Sequence, residues 1–481
     1  MSEQPPPSSA TQLRAGALSF AEVLMQGITH IAPAVGLVLS IQYISSLTGV
    51  VTPLAYAIAV AIVLMLGISL AQLARHLPSA GGYYTYISRT VNPQAGFLTA
   101  WLYLLYDPTA TAINIAFMAI FLERTVKNNY GVACPWWLVF LVTVAALTFV
   151  VYRGIAPSTR AMVIFGVGEI VIITALGICG LARPGAGGIN LESYLPANAP
   201  SSGGLALGVI FSIFSVTGFD GVVPLAEESK DPRRTQPRAI LASIFCTGAF
   251  YLFCSWAILI GWGTHDVNRF IRSVENPCFV LARRLWGHGW ILMMIAVLNS
   301  VFAVSIASTN AATRVLFALG RSAVLPRSLA KVHPSYLTPM NAIWLQTLIT
   351  LAVGLGLGFW IGPDQEFFLM GVVITLCLVW IYSAANYGVF VYYRNEKRAE
   401  FRWWPHVICP LLSTLALIVV AFESIHPLPA APVGYAPAIV VCWFGIGVAL
   451  LLVFRRTGRE AWILEAGSEM RDTPISQRIQ S

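Results

Sequence analysis

Apolar residues run in long blocks along this chain, separated by short polar stretches. Twelve blocks are long enough to cross a bilayer as helices, which takes about 20 apolar residues each. They cover 18–46, 51–74, 95–122, 135–152, 160–182, 204–227, 238–261, 289–317, 340–361, 367–393, 404–424 and 434–454. The pattern predicts an all-α polytopic membrane protein with twelve transmembrane helices. Two of the blocks are interrupted. Span 1 carries MQGITHIAPAVGL (25–37), and span 6 carries FSIFSVTGFDGVVP (211–224), where Thr217, Gly218, Asp220, Gly221 and Pro224 break the apolar run. Lipid offers no hydrogen bonds, so a broken helix persists at membrane depth only where it is buried in protein or lines a cavity. One break early in the chain and one about halfway along predict a transporter built from inverted repeats, with its ligand held at the breaks.

Composition sharpens the class. Hydrophobic residues make up 57% of the 481 and charged residues only 10%, against about 25% charged in soluble domains. Residues 1–16 are polar and rich in Pro and Ser, which reads as a disordered tail and not a signal peptide; residues 456–481 form a second tail. The net charge of +8 does not point to nucleic acid. With both termini on one side of twelve spans, that side holds 22 of the 29 Lys and Arg, and the excess marks it as cytoplasmic. The chain is therefore expected as a multi-pass plasma-membrane protein, with a bacterial inner membrane favoured. LPSAGGYYTYISRTVNPQAG (77–96) reads as an amphipathic segment along the inner surface, and the outer loop 262–288 has room for a small helix. Gly354, Gly358 and Gly362 in span 9 suit close helix packing. The eight cysteines show no paired spacing and read as buried hydrophobes. No lysine follows a Gly-rich phosphate loop, and there is no HExxH, so no cofactor or metal is expected and ATP-driven transport would need a partner chain.

Several residues could carry chemistry. A break frees backbone groups, and the start of the second half-helix carries partial positive charge suited to an anion. That makes Gly27, Ile28, Thr29, His30, Ile31, Ala32 and Pro33 candidates for a substrate carboxylate, with a proline kink as the competing reading. The carbonyls freed around Phe214, Ser215, Thr217 and Gly218 would take an amine. Phe214 and Phe219 flank the second break, where an aromatic ring either closes over the substrate or packs in the core. Asp220 either caps the second half-helix, the favoured reading, or binds an amine. Asp107, before Pro108, and Glu169 are further carboxylates inside spans without a basic partner near the midplane, and Glu22 opens span 1. Such groups favour the neutral form or hold a proton or cation. His30 pairs with an acid across the bundle or faces the substrate.

The two broken spans, LPSAGGYY (77–84), GFDGVVPLAEESKDPRRTQPRAI (218–240) and NAATRVLFALGRSAVLP (310–326) resemble the amino acid–polyamine–organocation superfamily over about residues 17–455. The resemblance implies a leucine-transporter-like fold. A first repeat (17–183, spans 1–5) is inverted relative to a second (204–394, spans 6–10), with two more helices (403–455) appended. It implies amino acids or related amines as substrates. The first break reads Ile28-Thr29-His30-Ile31-Ala32-Pro33-Ala34, where the superfamily more commonly has a glycine–small–glycine pattern. The position resembling Glu169 is a lysine in several members and lies where sodium binds in sodium-driven relatives of the fold, so a carboxyl there could exchange a proton. Ser308 and Thr309, with Ser305, resemble the sodium ligands of those relatives; back-bonding of the hydroxyls to their own helix competes with that reading. The function expected is secondary active transport of an amino acid by alternating access, with spans 1, 2, 6 and 7 rocking against the rest. Proton symport is favoured over exchange, and the proton over sodium. A polyamine or other organic amine is the alternative substrate, and a non-transporting ligand sensor the alternative class. Oligomeric state is left open.

Overall fold

The computed structural model describes residues 13–456, so the tails expected over 1–16 and 456–481 lie outside it except at their inner edges. Span 1 forms three pieces, α1 (Phe20–Ile31), α2 (Pro33–Val38) and α3 (Ile41–Thr48), and leads into α4 (Thr52–His76). After α5 (Tyr83–Thr90) come α6 (Pro93–Tyr130), α7 (Trp136–Tyr152) and α8 (Ile155–Ala182). Span 6 is α9 (Ser202–Val216) followed by a 3-10 segment, Phe219–Glu228. Then follow α10 (Pro232–Trp262), the short helices α11 (Val267–Ile271) and α12 (Pro277–Trp286), α13 (Ile291–Arg321), α14 (Met340–Ile361), α15 (Pro363–Asn395), α16 (Cys409–Ile425) and α17 (Ala436–Arg456). Among the described residues there is no β-strand, only an isolated bridge between Leu18 and Ser229. Eleven helical segments among the described residues are long and apolar enough to cross a membrane, and the remaining predicted span, 135–152, is the apolar 17-residue α7. The exposed apolar side chains of α16 and α17, such as Leu411, Ile418, Phe422, Val441 and Leu452, face outward, as expected where lipid is the solvent.

Local chemistry sets the helix ends. Asn92 caps α6 by accepting from the Ala95 N–H at 2.7 Å, Pro93 occupies the first turn, and left-handed Gly131 ends the helix; each is the residue type its position favours. Small residues let the helices approach closely. A methyl group at Gly67 or Gly248 would strike Ile244 or Val60, so α4 lies directly on α10. Gly354 and Gly358 of α14 lie under Phe140 and Trp136 of α7, as the spacing suggested, whereas Gly362 faces open space at a turn.

One expectation fails outright. The segment after span 2 does not lie along the surface. All but Arg89 of α5 is buried, tucked between α6 and α15. The small run Ser79-Ala80-Gly81-Gly82 permits this, with Gly82 at φ 52°, a backbone conformation natural to glycine.

The Arg-rich end of the bundle is closed by polar contacts. Arg314 Nε and Nη2 donate to Glu228 at 2.8 and 3.2 Å, with both side chains essentially inaccessible. The Leu18 N–H donates to the Glu228 carbonyl and the Lys230 N–H to that of Leu18, each at 2.9 Å. Arg321 pairs with Glu227 at 2.6 Å. At the other end, Gln42 donates to the Ser273 carbonyl at 2.8 Å and Asn276 to the Val38 carbonyl at 2.7 Å, which ties span 1 to the loop after α10.

Candidate binding site at the two helix breaks

The first break is shorter than the sequence suggested. α1 stays helical through Ile31, so Gly27, Ile28, Thr29, His30 and Ile31 present no free run of amides, and the chain turns at one residue, Ala32 (φ 56°, ψ 66°). Proline explains it: Pro33 has no N–H to continue the ladder, and its ring disfavours the α conformation at the residue before it. The Ala32 N–H already bonds to the Thr29 carbonyl at 3.1 Å. The carbonyls expected to be free around the second break are largely used as well. Phe214 accepts from Thr217, Ser215 from the Tyr251 hydroxyl at 2.7 Å, and Gly218 from Gly221 N–H at 3.1 Å. Asp220 does not cap the second half-helix; Gly218 stands at the cap position, with no side-chain cap bond.

The two breaks meet. Gly218 has φ 117°, and a methyl group there would lie 2.7 Å from the His30 carbonyl oxygen. Gly221 packs on the His30 ring, and Gly27 on Ser243 and Val222. Gln26 joins three elements by donating to the Gly221 carbonyl at 3.1 Å and the Ala307 carbonyl at 2.9 Å.

His30 stands at this junction and gathers the candidates. Its Nδ1 lies 2.7 Å from the Gly218 carbonyl oxygen. Its Nε2 lies 3.2 Å from Asp107 Oδ1 on α6 and 3.0 Å from Ser308 Oγ on α13. The Tyr103 hydroxyl donates to Asp107 Oδ2 at 2.6 Å, and the Tyr382 hydroxyl to Asp220 Oδ1 at 2.8 Å. The Phe219 ring stacks on Tyr382 with centroids 5.8 Å apart, and the Tyr83 ring lies 6.0 Å from Tyr382. Asp107 is fully buried and Asp220 is 3% exposed. No Lys or Arg among the described residues forms an ion pair with either carboxylate. The Tyr83 hydroxyl and Gln26 Oε1 are buried without a hydrogen-bond partner, so the cluster keeps polar capacity that a ligand would satisfy.

Other expected residues lie apart. Glu169 on α8 is fully buried, faces the Ser300 hydroxyl and the Ala34 amide at the start of α2, and makes no hydrogen bond from either oxygen. Ser215 turns to Ser40 at 3.1 Å, and Phe214 is only partly buried. Thr29 bonds back to the Met25 carbonyl at 2.7 Å, Ser305 to that of Val301 at 2.7 Å, and Thr309 pairs with Thr111 at 3.4 Å. The Ser308 hydroxyl lies against His30 Nε2. Among the described residues no group of three or more His, Cys, Asp or Glu is placed to hold a metal. The tyrosines were missed. Tyr103 was findable, since a residue four before Asp107 shares its helix face. Tyr83 and Tyr382 reach the site only through the burial of α5 and the rotation of α15.

A family model described as amino acid permease matches residues 22–459. The chain belongs to the amino acid permease family. The permease is 30% identical to the low-affinity putrescine importer of Escherichia coli (strain K12), over 73% of this chain and 77% of the importer. It is 26% identical to a branched-chain amino acid permease of Bacillus subtilis (strain 168), over 64% and 69% of the two chains. It is also 26% identical to the Asc-type amino acid transporter 1 of Mus musculus, over 59% and 54%. The permease is thus a multi-pass membrane protein related to transporters.

Proposed function

We propose that this permease is a secondary transporter of a cationic organic amine, working by alternating access around the His30 junction. The observation that carries this is the pair of buried carboxylates, Asp107 and Asp220, met by tyrosine hydroxyls and one histidine with no Lys or Arg beside them. Buried charge is costly unless paired, so such a site favours a ligand that brings positive charge. With His30 neutral and both acids ionised the cluster carries two negative charges, which matches a diamine. The likeness to a putrescine importer agrees with this.

An amino acid is the second reading, supported by the family match and by the relatives that carry amino acids in their names. Its carboxylate would go to the start of α2. There the Ala34 amide already faces the protein's own Glu169, and this lowers the weight of that reading. Glu169, unpartnered and buried, is the group we assign to proton coupling. The bundle of α1, α4, α9 with its 3-10 segment, and α10 would rock against α6, α8 and α13. The two five-span halves, 17–183 and 204–394, supply one break each, and the appended α16 and α17 complete twelve spans with both ends in the cytoplasm.

A thermal-shift screen of detergent-purified protein tests the substrate class. A ligand that binds the folded state raises the melting temperature by mass action. Putrescine and simple amines are expected to stabilise, and zwitterionic amino acids are not. Stabilisation by amino acids alone would replace this reading with the second one.

A further inference from the structure

The hydrogen bonds around His30 define more than a ligand. A carbonyl oxygen only accepts, so the Nδ1 atom facing Gly218 at 2.7 Å carries the proton. That leaves Nε2 with two different partners in reach, and each suits a different state. Protonated, Nε2 donates to Asp107 at 3.2 Å. Neutral, Nε2 accepts from the Ser308 hydroxyl at 3.0 Å. Both charge states of the imidazole are therefore fully hydrogen-bonded in the same ring position, which is the property of a group built to change charge without moving.

Charged and titratable groups approach the ring from several elements. α6 presents Asp107 with Tyr103, the 3-10 segment Asp220, and α15 Tyr382. From α13 comes only the uncharged Ser308; Arg314 on the same helix is consumed by Glu228. On α8, Glu169 faces Ser300, eight residues before Ser308 and hence about 12 Å along the helix axis. α10 meets α1 through Ser243. Among these groups His30 is the one able to become a cation, and Asp107 is the carboxylate within its reach.

We propose that His30 is a specificity-determining residue that exchanges its proton for the cargo's ammonium group. An ammonium arriving at Asp107 meets a carboxylate already paired with imidazolium. It takes over that carboxylate, the Nε2 proton leaves to solvent, and Ser308 donates to the vacated nitrogen. No bond other than the N–H is broken, and the net charge of the cluster with its ligand is conserved when a single ammonium is bound. Protons and amines then compete for one site, independently of Glu169. This rests on the amine reading above.

The test is calorimetric titration of the purified protein with putrescine and with a monoamine, in buffers of different ionisation enthalpy, which counts protons exchanged. Below neutral pH the wild-type protein is expected to release about one proton per amine bound, by linkage. His30→Asn, whose amide still serves the Gly218 carbonyl, binds amine with release close to zero. Ser308→Ala removes the donor that serves the neutral ring. It is expected to weaken binding about fivefold, the size of one net hydrogen bond, while proton release persists. Amine binding with no proton release from the wild type, or with release unchanged in His30→Asn, overturns the inference and leaves the amine reading standing. Absence of amine binding to a folded wild-type protein overturns the amine reading itself.

Discussion

The pair of Arg314 and Glu228 offers a quantitative test of how the Arg-rich end is held shut. Arg314→Met keeps a flexible apolar chain in the same space but removes the guanidinium. Glu228 would lose charge-assisted bonds at 2.8 and 3.2 Å while fully buried. Such bonds contribute about 1.5–3 kcal/mol each, and breaking one side of a buried ion pair costs about 3–5 kcal/mol. The single variant is expected to fall within that range. The double variant, Arg314→Met with Glu228→Leu, removes the stranded charge together with its desolvation cost and should regain most of the loss. Equilibrium unfolding in detergent micelles, followed by tryptophan fluorescence, measures all three proteins. A single variant costing under about 1 kcal/mol, as for an exposed ion pair, would refute the reasoning. So would a double variant as unstable as the single one.

Three further outcomes follow from the same geometry. Glu169→Gln should leave amine binding intact and abolish accumulation driven by a pH gradient in proteoliposomes; accumulation at the wild-type level would remove Glu169 from the coupling role. Gly218→Ala should cost about 1–3 kcal/mol and reduce amine binding, because its φ of 117° is strained for alanine and the methyl group meets the His30 carbonyl at 2.7 Å; a variant as stable as wild type would show that the breaks are not pressed together. Gln26→Leu leaves the Gly221 and Ala307 carbonyls without their shared donor, and denaturant unfolding should show a loss of about 1–3 kcal/mol.

Much of the bundle is legible in the chain because a membrane helix announces itself by length and apolarity alone. The breaks are legible for a related reason: Pro33, Gly218 and Asp220 are expensive at membrane depth, so their presence marks a purpose. What stays hidden is rotation and tertiary burial. Asp107 is visible as an intramembrane acid, but only the packing of α6 aims it at His30 and not at lipid. α5 looks amphipathic, and its burial depends on the room left between α6 and α15, which is not encoded within the segment itself. The extent of the first break was overestimated because Pro33 explains the local geometry with a single left-handed residue at Ala32, and the amides before it remain in the helix. Arg314 falls within the predicted span 289–317, and its burial depends on Glu228, far away in the chain. For Asp107, α5 and Arg314 the local preference is readable, and the partner that decides the outcome comes from a distant part of the chain.

The central claim is that Asp107 and Asp220 hold a cationic amine at the junction of the two breaks. Uptake of labelled putrescine into proteoliposomes, challenged with unlabelled putrescine or leucine, tests it most directly. The account predicts uptake that unlabelled putrescine blocks and leucine does not. It also predicts a loss of roughly a hundredfold or more in Asp107→Asn and in Asp220→Asn, the scale of stranding a buried charge. Transport of leucine with no response to putrescine, or full putrescine uptake by both variants, would contradict it.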